Sequence, residues 1–293
     1  MKDFKGILLV FTGAACFSIK AIIIKLAYGH QIDAVTLLTL RMGFSLPFFV
    51  AVPFIYKKKD TDQQPTKSDW IKILLLGILG YYVASIFDFW GLQHITAGIE
   101  RLILFVYPTI VVLLSAIFLK NPITRNVVLA LSLTYLGVAI IFSDAHWQTQ
   151  GNLILGSIFI FISAFTYAAY LVGSGSLIKK LGSVTYNAYA MIVSCVAVLL
   201  HFAFTQPSNI FHLEANTYYY GIAIALISTV IPTFLIAEGV NLIGAGKASI
   251  VASIGPVITI FLGYLVLHEK VTGLELLGSA LVLGGVLWIS YKK

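Results

Sequence analysis

Gly91-Leu92-Gln93-His94-Ile95-Thr96-Ala97-Gly98 and Gly239-Val240-Asn241-Leu242-Ile243-Gly244-Ala245-Gly246 share four residues in register, 148 positions apart. Carried on without a gap, the same shift superposes 91–141 on 239–289 with 14 identities in 51 positions, including Pro108/Pro256, Leu119/Leu267, Thr124/Thr272 and Gly137/Gly285. Apolar sequences match by chance more often than mixed ones, but glycines and prolines held in register point to an internal repeat. A weaker match, at a shift of 150, puts Gly6 and Ala14 on Gly156 and Ala164.

Composition says what is repeated. Of 293 residues 59% are hydrophobic and 11% charged, which excludes a soluble domain and a disordered chain. Runs of about 20 apolar residues, the length that spans a bilayer, occupy roughly 6–28, 33–56, 70–92, 97–119, 125–143, 152–174, 184–205, 217–239, 246–267 and 272–291. The first run is long enough to span and lacks a small-residue cleavage site, so it is predicted to be a helix rather than a signal peptide. The longest hydrophilic stretch, 57–69, is too short to hide a soluble catalytic domain. Cys16 and Cys195 lie inside apolar runs and read as small buried hydrophobes.

Ten spans with the N-terminus inside put fourteen of the nineteen Lys and Arg residues in cytoplasmic connectors and Lys270 alone on the other side. That asymmetry predicts both termini in the cytoplasm; the net charge of +7 therefore records orientation and does not indicate nucleic acid. The repeat then divides the chain into five-helix units, 1–145 and 146–293. Five is odd, so the second unit enters the membrane from the opposite side. The predicted fold is all-α: ten transmembrane helices as two inverted five-helix repeats. This is an architecture of secondary transporters, with the substrate near the midplane where the repeats meet.

The stretch Asp88-Phe89-Trp90-Gly91-Leu92-Gln93-His94-Ile95-Thr96-Ala97-Gly98-Ile99-Glu100-Arg101-Leu102-Ile103-Leu104-Phe105-Val106-Tyr107-Pro108 resembles the third-to-fourth-helix region of the EamA family of the drug/metabolite transporter superfamily. Its counterpart, 245–256 running on to Leu267-His268-Glu269-Lys270-Val271-Thr272, is similar to that family's ninth helix and the short acidic motif after it. The resemblance covers both repeats. It implies a central cavity between two five-helix halves and export or exchange of small metabolites such as amino acids. The family's acidic position after the fourth helix is Asn121 here, so that role carries over only to Glu269.

Ionisable groups inside spans are costly, about 2.5–3.5 kcal/mol each at a helix centre on insertion scales, and each is a functional candidate. Seven qualify: Lys20, Lys25, Arg41, Asp88, Glu100, Arg101 and Glu238. Lys25 is near a helix end and can snorkel. Asp88 and Arg101 flank the hairpin around Ile95 at similar distances, so a salt bridge between them is expected. Glu100 points about 100° away from Arg101 and needs Lys20 or Arg41 as its partner. The set reads either as a static network tying helices together or as a site facing the cavity. In the second reading Lys20 and Arg101 hold a substrate carboxylate, and Glu100 or Asp88 carries a proton. The second repeat has Ala248 and Ser249 in place of Glu100 and Arg101, so the charged site is not duplicated.

Arg41, Asp88, Glu100 and Glu238 are the coupling or charge-network candidates, with Glu238 near enough to an end to pair or cap there. Pro108 and Pro256, one per repeat, are the hinge candidates. On helices 3 and 6, which border the cavity in the family, Tyr82, Trp90, Tyr167 and Tyr170 are the predicted lining. Gly244-Ala245-Gly246-Lys247-Ala248-Ser249 resembles a phosphate loop, but Asn241 stands at its first glycine and Ala248 at its Ser/Thr. The six histidines show no ligand spacing.

The expected function is that of a multi-pass secondary transporter of the cytoplasmic (inner) membrane, exporting or exchanging a small polar or amphiphilic metabolite. Protons are the candidate coupling ion; no cofactor, metal, nucleic acid or enzymatic activity is expected. The alternatives are an integral-membrane enzyme acting on lipid-linked substrates, for which no nucleophile with its base is apparent, and a passive channel.

Overall fold

The computed structural model describes residues 2–55, 64–120, 125–144, 152–205, 210, 212–252 and 254–291, and all regular structure among them is helical. The helices are α1 Lys2–Gly29, α2 Ala34–Ile55, α3 Lys67–Leu92, α4 Ala97–Leu119 and α5 Arg125–Asp144, then α6 Leu153–Leu181, α7 Ser183–Thr205, α8 Ala215–Val240, α9 Gly255–Leu267 and α10 Gly273–Tyr291. Seven of them, α1 to α4 and α6 to α8, are long and apolar enough to cross a membrane; α9 and 273–285 of α10 are shorter apolar helices. Helices satisfy every internal backbone group without water, which is the condition for crossing lipid.

The connector expected between spans eight and nine is itself helical, since one helical run covers Ile231–Ala252. The chain nevertheless reverses there. Ile236, Gly239 and Ile243 pack on Gly13, Val10 and Gly6 of α1 in descending order, whereas Gly255 has returned to the level of Ser18, whose hydroxyl donates to its carbonyl at 3.0 Å.

Helix boundaries repeat at the sequence shift of 148. Helix starts at Lys67 and Ala215, π-helical turns at Ile78–Val83 and Leu226–Val230, restarts at Tyr107 and Gly255, ends at Leu119 and Leu267, and starts at Arg125 and Gly273 are all so related. Lys120 and His268, also 148 apart, both end their helices in the left-handed region, at φ 55° and 54°, where a cap satisfies the last carbonyls. The register seen from Gly91 onward thus extends back to Lys67.

The packing obeys the same exchange. α1 lies on α8 as α6 lies on α3; α1 on α9 as α6 on α4; α2 on α8 as α7 on α3; and α2·α7, α4·α9 and α5·α10 map onto themselves. Glycines hold the first of these contacts in both copies. A Cβ on Gly91 would lie 3.1 Å from the Gly156 carbonyl, and one on Gly239 would lie 3.1 Å from that of Gly6. Small residues let backbones touch where lipid offers no hydrophobic drive to associate. The face from which α1 starts is called proximal below. The face where α1 ends and α3 turns into α4 is called distal.

Candidate functional site

α1, α3 and α4 converge on a buried ion cluster. Lys20 Nζ lies 2.6 Å from Asp88 Oδ2 and 3.6 Å from Glu100 Oε1; Glu100 is fully buried and Asp88 is 3% exposed. Local sequence explains Glu100. Thr96 caps the helix Ala97–Leu104 by accepting from the Ile99 N–H at 3.2 Å, and Glu100 falls in its first turn, where the helix dipole favours an anion. The two carboxyl groups are close enough to interact through their charges. Asp88 Oδ1 and both Glu100 oxygens are buried without a hydrogen-bond partner.

The bridge expected between Asp88 and Arg101 is not formed. Asp88 turns to Lys20, which also answers the partner expected for Glu100. Arg101, one residue on, faces α9: a Cβ on Gly255 would meet its Nη2 at 2.9 Å. Gly255 occupies the register position of Tyr107, so the second repeat leaves open the space that the guanidinium fills. Arg101 Nε is buried without a hydrogen-bond partner, and the guanidinium is within electrostatic reach of Tyr107 and Tyr167.

From there a file of tyrosines descends toward the proximal face. Ring centroids are 5.3 Å apart for Tyr107 and Tyr167, 5.9 Å for Tyr167 and Tyr170, 5.0 Å for Tyr170 and Tyr81, and 6.0 Å for Tyr170 and Tyr186. The hydroxyls of Tyr81 and Tyr170 donate to Asn187 Oδ1, while that of Tyr186 pairs with Ser174 at 2.6 Å. Tyr167 and Tyr170 therefore sit in one array. Tyr82 instead pairs with His201 Nδ1 at 2.9 Å, and Trp90 packs with Phe87 and Phe159. Tyr186 and Asn187 drew no notice in the sequence, because nothing in α7 marks which side of the helix faces α6.

Both faces are tied across the repeats. Distally, Glu269 beyond α9 accepts from the Ala97 and Gly98 N–H groups at 2.9 and 3.4 Å, the free donors at the start of α4. Lys25 does not simply snorkel: its Nζ donates to the Leu92 and Ile95 carbonyls at 3.2 and 2.9 Å, capping the end of α3. Proximally, Asp69 forms a capping box with Thr66 and pairs with Lys180 of α6 at 2.5 Å. The Thr66-Lys67-Ser68-Asp69 spacing is a readable capping signal, although its partner is not.

Glu238 is exposed. Pro108 and Pro256 each take one of the first two positions of a helical run, Tyr107–Leu119 and Gly255–Leu267. Arg41 donates to Thr229 and Ser85.

Over residues 4–143 and 154–291 the sequence matches the model of the EamA-like transporter family. An uncharacterized transporter of Bacillus subtilis, YcbK, is 31% identical across 98% of this chain and 93% of its own. An uncharacterized transporter of Archaeoglobus fulgidus is 25% identical across 89% and 90%. A solved crystal structure aligns with a TM-score of 0.66 over 98% of this chain and 96% of its own at 15% identity, a likeness of fold.

Proposed function

Because the chain belongs to the EamA-like transporter family, we propose that it is a secondary active transporter that exports or exchanges small polar or amphiphilic metabolites, amino-acid-like or otherwise carboxylate-bearing, by alternating access. Its two units, 1–145 and 146–293, rock against each other as ten spans of the cytoplasmic membrane, with the proximal face and both termini in the cytoplasm.

The observation that carries this reading is the buried cluster of Lys20, Asp88 and Glu100. Three buried carboxylate oxygens without hydrogen bonds would be costly as two full charges. One proton held between Asp88 and Glu100 removes most of that cost. A substrate carboxylate that takes the place of Asp88 on Lys20 leaves Asp88 to be compensated by a proton, so anion and proton load together. Arg101 supplies the second cation, with Tyr167 and Tyr170 along the path and Pro108 and Pro256 as hinges at the starts of Tyr107–Leu119 and Gly255–Leu267. Tyr82, Trp90, Arg41 and Glu238 complete the proposed set as lining or charge-network residues. The ties at Glu269 and Asp69 lie on opposite faces, as two gates that open in turn would require.

The test is counterflow in proteoliposomes against a panel of radiolabelled amino acids and carboxylic acids. At least one should enter faster when the vesicles are preloaded with its unlabelled form. Glu100→Gln should keep exchange and lose accumulation driven by a pH gradient, and Arg101→Ala should weaken both. Uptake indifferent to preloading would indicate a pore; uptake unaffected by both substitutions in well-folded protein would remove the cluster from the mechanism.

A further inference from the structure

We infer that Arg41 is an anion-binding residue, a socket for the carboxylate of a small organic acid with an apolar body, separate from Arg101. The inference rests on the transporter reading only for its role in the cycle; the binding chemistry stands on the geometry.

Arg41 is 7% exposed. Its Nε donates to Thr229 Oγ1 at 2.9 Å and its Nη1 to Ser85 Oγ at 3.2 Å, and its guanidinium carbon lies 5.7 Å from the centre of the Phe89 ring. All three partners are neutral. Among the described residues no carboxylate comes within 4 Å of it, whereas Lys20 and Lys180 both have one. An arginine cannot shed its charge, and a buried charge is ordinarily paired. Asp88 offsets part of the charge from beyond ion-pair distance, which leaves the guanidinium itself open to an anion that comes and goes.

The orientation of the guanidinium says which anion. Thr229 spends its own hydroxyl proton on the Ile224 carbonyl, five residues back at 3.0 Å, so its oxygen can serve Arg41 only as an acceptor and holds Nε in place. With Nε and one Nη1 proton occupied, the other Nη1 proton and the two on Nη2 are left. Nη1 and Nη2 together form the planar fork that takes both oxygens of a carboxylate. Ser228, next to Thr229 in sequence, and Ser194, next to Cys195, are fully buried hydroxyls without partners. The Cys195 thiol lies 3.8 Å from the sulfur of Met42, the residue after Arg41. Phe89 gives the socket an apolar wall, which favours an organic acid over an inorganic oxyanion.

Position gives the socket its consequence. Ser85 comes from the first repeat and Thr229 from the second, and Arg41 stands on α2, whose packing on α7 maps onto itself under the repeat exchange. The site is complete only while the two repeats are together, so an anion bound there reports on both.

The test uses the full-length protein in detergent with benzoate, acetate, inorganic phosphate and potassium chloride at matched ionic strength. Benzoate should raise the unfolding temperature of the wild type beyond chloride, with acetate and phosphate weaker. Arg41→Gln should lose the benzoate increment. Arg41→Lys keeps the charge without the fork and should bind roughly tenfold more weakly, which serves if Arg41→Gln does not fold. A benzoate increment in the wild type no larger than that of chloride overturns the inference, as does one retained in full by Arg41→Gln or Arg41→Lys. Counterflow without benzoate binding would leave the transport reading standing and this socket refuted; benzoate binding lost with Arg41 but no counterflow would do the reverse.

Discussion

Removing the Glu269 carboxylate should open the distal face. Its oxygens accept from the first two N–H groups of α4, at 2.9 and 3.4 Å, and these donors have no partner within the helix. A hydrogen bond to a charged group contributes about 1.5–3 kcal/mol. The longer contact and the half-buried setting reduce the pair to about 2 kcal/mol in total, which is roughly thirtyfold in a gating equilibrium. Glu269→Gln keeps one acceptor oxygen and should shift the equilibrium only about fivefold. The assay is labelling of Gly98→Cys by a membrane-impermeant maleimide in protein with Cys16 and Cys195 replaced by alanine. A Cβ at Gly98 meets nothing closer than 3.6 Å, so the probe itself is tolerated. Glu269→Ala should raise the labelling rate roughly thirtyfold and hydrogen exchange at 97–100 in parallel. A rate within about twofold of the parent, in protein of unchanged melting temperature, would refute the idea that this carboxylate holds the face closed.

Asp69→Asn should act on the opposite face. It removes the partner of Lys180 and half of a capping box, about 1 kcal/mol, so cysteines at the start of α3 should label several-fold faster while Gly98→Cys does not. Gly80→Ala should cost about 1–3 kcal/mol, because a Cβ there would lie 2.2 Å from the Tyr170 ring; the melting temperature of purified protein measures it, and the more distal Lys20 cluster should be unaffected.

Much of the fold was legible because it is written in residue types with few other uses. Glycine and proline in register at 91/239 and 108/256 exposed the duplication, and the helix boundaries follow it from Lys67/Ala215 onward. Charge partners were harder. Equal distances from a hairpin placed Asp88 and Arg101 at one level, but pairing depends on rotation about the helix axis. In α1, which is apolar around its circumference, no stripe reveals that Lys20 faces Asp88. The place taken by Arg101 depends on Gly255, a residue 154 positions away whose meaning lies in the tyrosine it replaces. Glu269 stood out by its resemblance to a family motif, yet its partners are backbone N–H groups, which any sequence would supply. Helix identity alone groups Tyr82 and Trp90 with Tyr167 and Tyr170, and nothing in the sequence marks His201 and Phe159 as the partners that α3 gives them.

The π-helical turns at Ile78–Val83 and Leu226–Val230 have a bearing on ancestry. Each accommodates an extra residue in a helix, and two independent insertions would have no reason to fall 148 positions apart. The bulge is a feature the two halves share. The α1·α8 and α3·α6 contacts join one half to the other, so each half leans on its counterpart for them. Glu100 and Arg101 stand in register with Ala248 and Ser249, so the charged cluster is where the halves have parted while the bulge is where they have stayed alike.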